Sequence, residues 1–184
     1  RAISINANSS IAHTEYGKFL TQQNRQAEAE TELRKAVEVA PNDRNARFVL
    51  ASYYLVNRQF DKAEESYKAL AAMPPPKPEN QAVLADFYSA VGRNDEAVKI
   101  YQDLVSKTPD FLQGRYRLAE ILLTRGDIKG ATAQIDEAFK KDQHDRQALL
   151  LRARIRAQKG QPDDLKAAIE DLKDVLRQEP NSRP

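Results

Sequence analysis

Pro41, Pro75 and Pro109 stand 34 residues apart, and the chain between them repeats in the same register. A fixed period of this length rules out a single closed core. Each unit can bury its apolar face only against its neighbours, so the chain must fold as a stack. One column of the repeat reads Gly17, Ala51, Ala85, Ala119, Ala153, and a second reads Ala29, Ala63, Ala97, Ala131. Large apolar residues fill two others: Leu20, Tyr54, Tyr88, Leu122, and Leu33, Tyr67, Tyr101, Ile135. A turn column holds Asn24, Arg58, Gly92, Gly126 and Gly160, and the closing column has Gln143 in place of proline in the fourth unit.

Each column has a physical cause. Small residues let two helices approach closely while bulky neighbours fill the space around the contact. The glycine of the turn column sits where one helix ends, a place that favours a left-handed conformation, and the proline follows a second helix that it cannot continue. Apolar spacing inside each half is helical, as in Val49, Leu50, Tyr53, Tyr54. The expected helices span 10–23, 26–39, 44–57, 60–72, 78–91, 94–106, 112–125, 128–140, 146–159 and 163–177. They group as five helix pairs, 10–43, 44–77, 78–111, 112–145 and 146–182.

The period slips once and starts early. In the fifth unit Ala168 and Pro180 each come three residues late, and the extra residues fall in 161–166, where Asp163 or Asp164 is expected to cap the second helix. Counting back 34 residues from Pro41 reaches Ala7, so residues 1–9 read as the tail of an earlier second helix, with Ala2 in the column of Ala36. The chain is therefore expected to be part of a longer array. Its first pair is expected to expose Ile11, Tyr16 and Leu20 and to favour end-to-end self-association.

Composition narrows the function classes. The 29 basic and 27 acidic side chains leave a net charge of +2, too small a field to hold a polyanion, so no nucleic acid is expected as a partner. There are no cysteines, which leaves the redox compartment open. No apolar run approaches the roughly 20 residues of a membrane span, so no direct membrane insertion is expected. The two histidines are placed for neither a triad nor a metal site, and the glycines are turn residues rather than a phosphate loop. No enzyme activity, cofactor or metal is expected.

The columns resemble the tetratricopeptide repeat family, most closely over 90–110 (AVGRNDEAVKIYQDLVSKTPD) and 122–142 (LLTRGDIKGATAQIDEAFKKD). The resemblance covers residues 10 to about 182 and implies an all-α, right-handed solenoid of antiparallel helix pairs. It departs from the family where tryptophan is frequent, a column that here holds His13, Arg47, Gln81, Arg115 and Leu149. The family binds proteins or peptides on its concave face, lined by the first helix of each pair. Carried onto this chain, that face includes Lys18, Gln22, Asn45, Phe48, Ser52, Leu55, Asp86, Gln113, Tyr116, Glu120, Leu123 and Arg154. The resemblance thus implies a protein-interaction scaffold, with a spacer or assembly module of a longer bacterial array as the alternative. Arrays of that style serve envelope assembly, secretion or polysaccharide export. The residues for clamping a chaperone's C-terminal carboxylate are absent, since the corresponding positions hold Thr14, Lys18, Val49, Glu79 and Val83.

Phe48 and Tyr116 are the aromatic members of this face and its candidate anchors. Arg146, Arg152, Arg154, Arg156 and Lys159 make one helix basic. Arg152 and Arg156 stand in otherwise apolar columns, so their stems are expected to cover the core while their charges reach water. The prolines of 73–79 are expected to stiffen a joint: Pro75 closes a unit and Pro78 opens a helix.

Overall fold

A computed structural model of the protein describes residues 8–178, and among them there are ten α-helices and no strand. The chain divides into two compact units, residues 1–92 and 93–184. In the first, α1 (Ser10–Gln22) pairs with α2 (Gln26–Val39), α3 (Arg44–Val56) with α4 (Phe60–Ala71), and α5 (Pro78–Ala90) packs on α4. In the second, α6 (Asn94–Lys107) packs on α7 (Leu112–Thr124), which pairs with α8 (Ile128–Phe139). There α9 (Arg146–Lys159) packs on α8 and pairs with α10 (Pro162–Gln178). Every helix ends within one residue of its expected bounds. The tail read into residues 1–9 lies outside the described residues apart from Asn8 and Ser9, as does Pro180.

The columns do what their chemistry requires. Ala29, Ala63, Ala97 and Ala131 are fully buried. A methyl group placed on Gly17 would stand 2.6 Å from side-chain atoms of Leu33, which explains glycine where later units carry alanine. The turn column is left-handed throughout: φ is 59° at Asn24, 58° at Arg58, and 80°, 80° and 70° at Gly92, Gly126 and Gly160.

Helix starts are capped by short polar side chains. Asp43, Asp127 and Asp145 accept backbone N–H groups of the first turn, and the Ser9 hydroxyl accepts from Ala12. Helix α10 departs from expectation: Pro162 takes its first position, so Asp163 and Asp164 lie inside the first turn, where they meet the positive end of the helix dipole.

The missing tryptophans are replaced by polar links. His13 is buried with Nδ1 2.6 Å from Glu32 Oε2, and Arg115 donates to Gln134, a residue equally far along the chain. Arg47 and Arg115 also donate to the carbonyls of Pro41 and Pro109, fastening the closing turn to the next helix. Arg44 does the same for the proline-rich joint, donating to the Pro74 and Pro75 carbonyls.

Joints between pairs carry aromatic and polar contacts. The Tyr53 hydroxyl donates to the Gln26 carbonyl, and those of Tyr54 and Tyr88 donate to Glu30 and Glu64. Burial, and then the Glu30 carboxylate, push the Tyr54 phenol up to about 12. Tyr67 stacks on Phe87 at 5.2 Å, and the Arg152 guanidinium lies 4.1 Å from the Phe139 ring centre.

Candidate interaction surfaces

In the first unit the first-helix face is built around an aromatic row. Tyr67 reaches from α4 between Phe48 of α3 and Phe87 of α5, with Phe48 edge-on to it at 6.4 Å. Phe87 and Tyr67 are buried, whereas Phe48 is 42% exposed and forms the accessible end of the row. Ser52 Oγ lies 3.2 Å from the Tyr67 hydroxyl. Burial, with a smaller contribution from the Asp86 carboxylate, raises the pKa of that phenol. Of the other residues expected on this face, Lys18, Gln22 and Asn45 are exposed, and Ser52, Asp86 and the apolar Leu55 are half-buried. The Lys18 ammonium is held by Glu15 one turn away.

The second unit differs. Tyr116 and Leu123, expected on an accessible face, are 5% and 4% exposed. Burial and then the neighbouring Asp145 carboxylate raise the Tyr116 phenol well above its usual range. Gln158 donates to the Leu123 carbonyl from the other end of α9 and closes that site. Gln113 is exposed, and Glu120 is half-buried between Arg117 and the exposed Arg154, at 3.1 and 3.7 Å. The four apolar members of the expected face thus divide: Phe48 is open, Leu55 partly so, and Tyr116 and Leu123 are core.

The basic helix α9 is also not the surface expected. Arg152 and Arg156 turn inward onto Asp171 of α10, which is only 3% exposed. Arg152 donates to both of its oxygens, and Arg156 donates to Oδ2 at 2.6 Å and to the Ala167 carbonyl. The three-residue slip brings a carboxylate to face two columns that are apolar in earlier units, so charge pairing replaces apolar packing there. With Lys159 also near Asp164, little uncompensated positive charge remains for an anion.

Two apolar faces stand open. On α10, Leu165, Ile169, Leu172 and Leu176 are 43%, 52%, 43% and 63% exposed. Their spacing of four, three and four residues was legible, but it reads as core unless the slip is carried through the whole helix. On α1, Ile11, Tyr16 and Phe19 are exposed, Tyr16 and Phe19 with rings stacked at 6.5 Å. Leu20, expected in this set, is fully buried because it faces inward, about 100° around the helix from Phe19. Among the described residues no group of acidic and histidine side chains could hold a metal ion, and no helix is long and apolar enough to cross a membrane.

Models of the tetratricopeptide repeat match residues 9–78 and 89–155. The chain belongs to the tetratricopeptide repeat family. Its helical-repeat fold is shared with a thermophilic tetratricopeptide protein, TTC0263 of Thermus thermophilus. That likeness has a TM-score of 0.66 and 20% identity, and covers 95% of this chain and 93% of the other. YrrB, a tetratricopeptide protein with an unusual peptide-binding site, matches with a TM-score of 0.59 and 17% identity over 98% of this chain and 92% of its own. Among curated proteins the chain is 28% identical over 166 residues to cellulose synthase operon protein C of Pseudomonas fluorescens (strain SBW25). That match covers 85% of this tetratricopeptide chain and 13% of the relative's length. Proteins of this family mediate contacts between proteins.

Proposed function

We propose that this tetratricopeptide chain is a protein-interaction scaffold that takes an extended peptide on the first-helix face of its first unit, with Phe48 as the anchor. The observation that carries this is the exposure of Phe48 at the end of a buried aromatic row, with Asn45 and Ser52 one turn before and after it on the same helix and Lys18 and Gln22 exposed on α1. A rigidly backed aromatic ringed by hydrogen-bonding groups supplies both contact area and orientation for a peptide. YrrB, of similar fold, has a peptide-binding site.

Peptides selected from a displayed library on the wild-type protein, then measured by calorimetry, test this. Phe48→Ala should weaken binding by about tenfold or more, the usual effect of truncating an aromatic anchor, with an unchanged circular dichroism spectrum. Lys18→Ala and Asn45→Ala should weaken it less. Selected peptides that bind Phe48→Ala as tightly as wild type would reject the assignment.

A second reading, a structural module that stacks on like repeats, is favoured by the open apolar faces of α1 and α10. The relative in a cellulose synthase operon supports placing such a module in polysaccharide export machinery.

A further inference from the structure

The open faces of α1 and α10 occupy the two sides of one internal joint. With the three-residue slip counted, Leu165 stands in the register of Gln26, Ile169 in that of Glu30 and Glu64, Leu172 in that of Tyr67, and Leu176 in that of Phe139. Each of those residues touches the first helix of the next pair: Gln26 meets Tyr53, Glu30 and Glu64 meet Tyr54 and Tyr88, Tyr67 meets Phe87, and Phe139 meets Arg152. In α1, Phe19 stands in the register of Tyr53 and Phe87, and Tyr16 in that of Arg152. Tyr67 and its register mates Leu33, Tyr101 and Ile135 are at most 4% exposed, whereas Leu172 is 43% exposed. The difference is a covering helix of the α1 kind.

From this we infer that the occupant of the α10 face is α1 of a second copy, docked head to tail so that the internal joint is regenerated between molecules. This rests on the stacking reading above and specifies its partner. The chemistry of the two faces matches. In two internal joints a tyrosine hydroxyl bonds a glutamate, but at that register α10 carries Ile169 and α1 carries the buried Leu20. Neither side presents a polar group, as in the α6–α7 joint, where Val98 and Leu122 fill the same registers and are buried. A first helix bearing tyrosine there would leave its hydroxyl unpaired over Ile169, a cost that α1 avoids. Leu165 and Leu172 then close on Phe19, and Leu176 on Tyr16. The contact is heterologous, so a pair of copies keeps one free face of each kind and can grow further.

The test is sedimentation equilibrium over a concentration series with variants blocked at one end. Wild type should grow in mass with concentration, past the dimer. Leu172→Glu and Phe19→Glu should each be monomeric alone, and their equimolar mixture should form a one-to-one dimer that grows no further. Leu176→Lys, at the most exposed position of the stripe, replaces Leu172→Glu if that variant loses its helical spectrum. A Phe19→Glu protein that still dimerises alone would show back-to-back pairing through α10 and overturn the inference, as would a wild type monomeric throughout. A covalent tandem of two copies separates the two readings. If wild type is monomeric but the tandem melts above the single chain, stacking stands and the second-copy assignment falls. If the tandem melts with the single chain, both fall.

Discussion

Arg58 adopts the left-handed conformation that glycine takes at positions 92, 126 and 160. A side chain in this region costs about 1 kcal/mol because Cβ crowds the following carbonyl oxygen. Arg58→Gly should therefore stabilise the protein by at most about 0.5 kcal/mol, since the gain is offset in part by the freer unfolded chain. Gly126→Ala should destabilise it by about 1 kcal/mol through strain alone, because nothing lies within 4 Å of the added methyl group. Urea unfolding of both variants beside wild type checks the two signs together. At this scale the limits of sequence reading are also plain. Phe48 and Tyr116 share a column, and so do Leu55 and Leu123, yet the first of each pair is accessible and the second is core. Residue type and register are identical in kind; what differs is the neighbouring helix. Asp145, which caps α9, and Gln158 within it face the second unit's residues, and no local pattern announces that.

Helices are the level at which the chain is most legible. Their starts and stops have local causes, as with Pro78 at the first position of α5 or Asp43 before α3, and these lie on the line of the sequence itself. The pairing of α9 with α10 was legible, but the ion cluster between them was not, because it depends on which second-helix position meets Arg152 and Arg156 once the three extra residues are counted. Asp171 accepts from two arginines that are themselves one-quarter to one-third exposed, so the cluster is only partly desolvated. Asp171→Ala leaves both guanidinium groups facing an apolar contact and should cost about 2–4 kcal/mol. Replacing Arg152, Arg156 and Asp171 together by leucine restores the apolar columns and should cost nothing, or stabilise by about 1–3 kcal/mol. Guanidinium unfolding of the single and triple variants measures the contrast, and a triple variant as unstable as Asp171→Ala would count against the account.

Across the whole molecule, stability in a repeat chain is a sum of hairpin terms and joint terms, so helices with a neighbour on one side only should open first. Among the described residues α10 packs chiefly on α9 and no helix precedes α1, which sets an order for amide exchange. In a variant blocked at both ends, amides of α1 and α10 should exchange fastest and those of α3 and α8 slowest, as read by mass spectrometry. In wild type at high concentration the terminal helices should gain protection while α3 and α8 change little. Equal exchange along the chain would contradict joint-by-joint additivity. The period itself was legible from end to end because a column needs only one backbone geometry. The identity of a partner was not, because it depends on side chains that the period leaves free to vary.

The three-residue slip before α10 also bears on how such a chain can grow or shrink over generations. A stretch of 34 residues copied or lost within the first four pairs keeps every helix in phase. The fifth pair is different: its two inward arginines find their counter-charge on Asp171, at a register that holds Ser66, Ile100 and Gln134 in the second, third and fourth pairs and an acid, Glu32, in the first. Spliced to the second helix of any of those three middle pairs, α9 would turn two cations inward with no acid opposite. This hairpin is exchanged at a cost that the others do not carry, which makes it the least interchangeable segment of an otherwise modular chain.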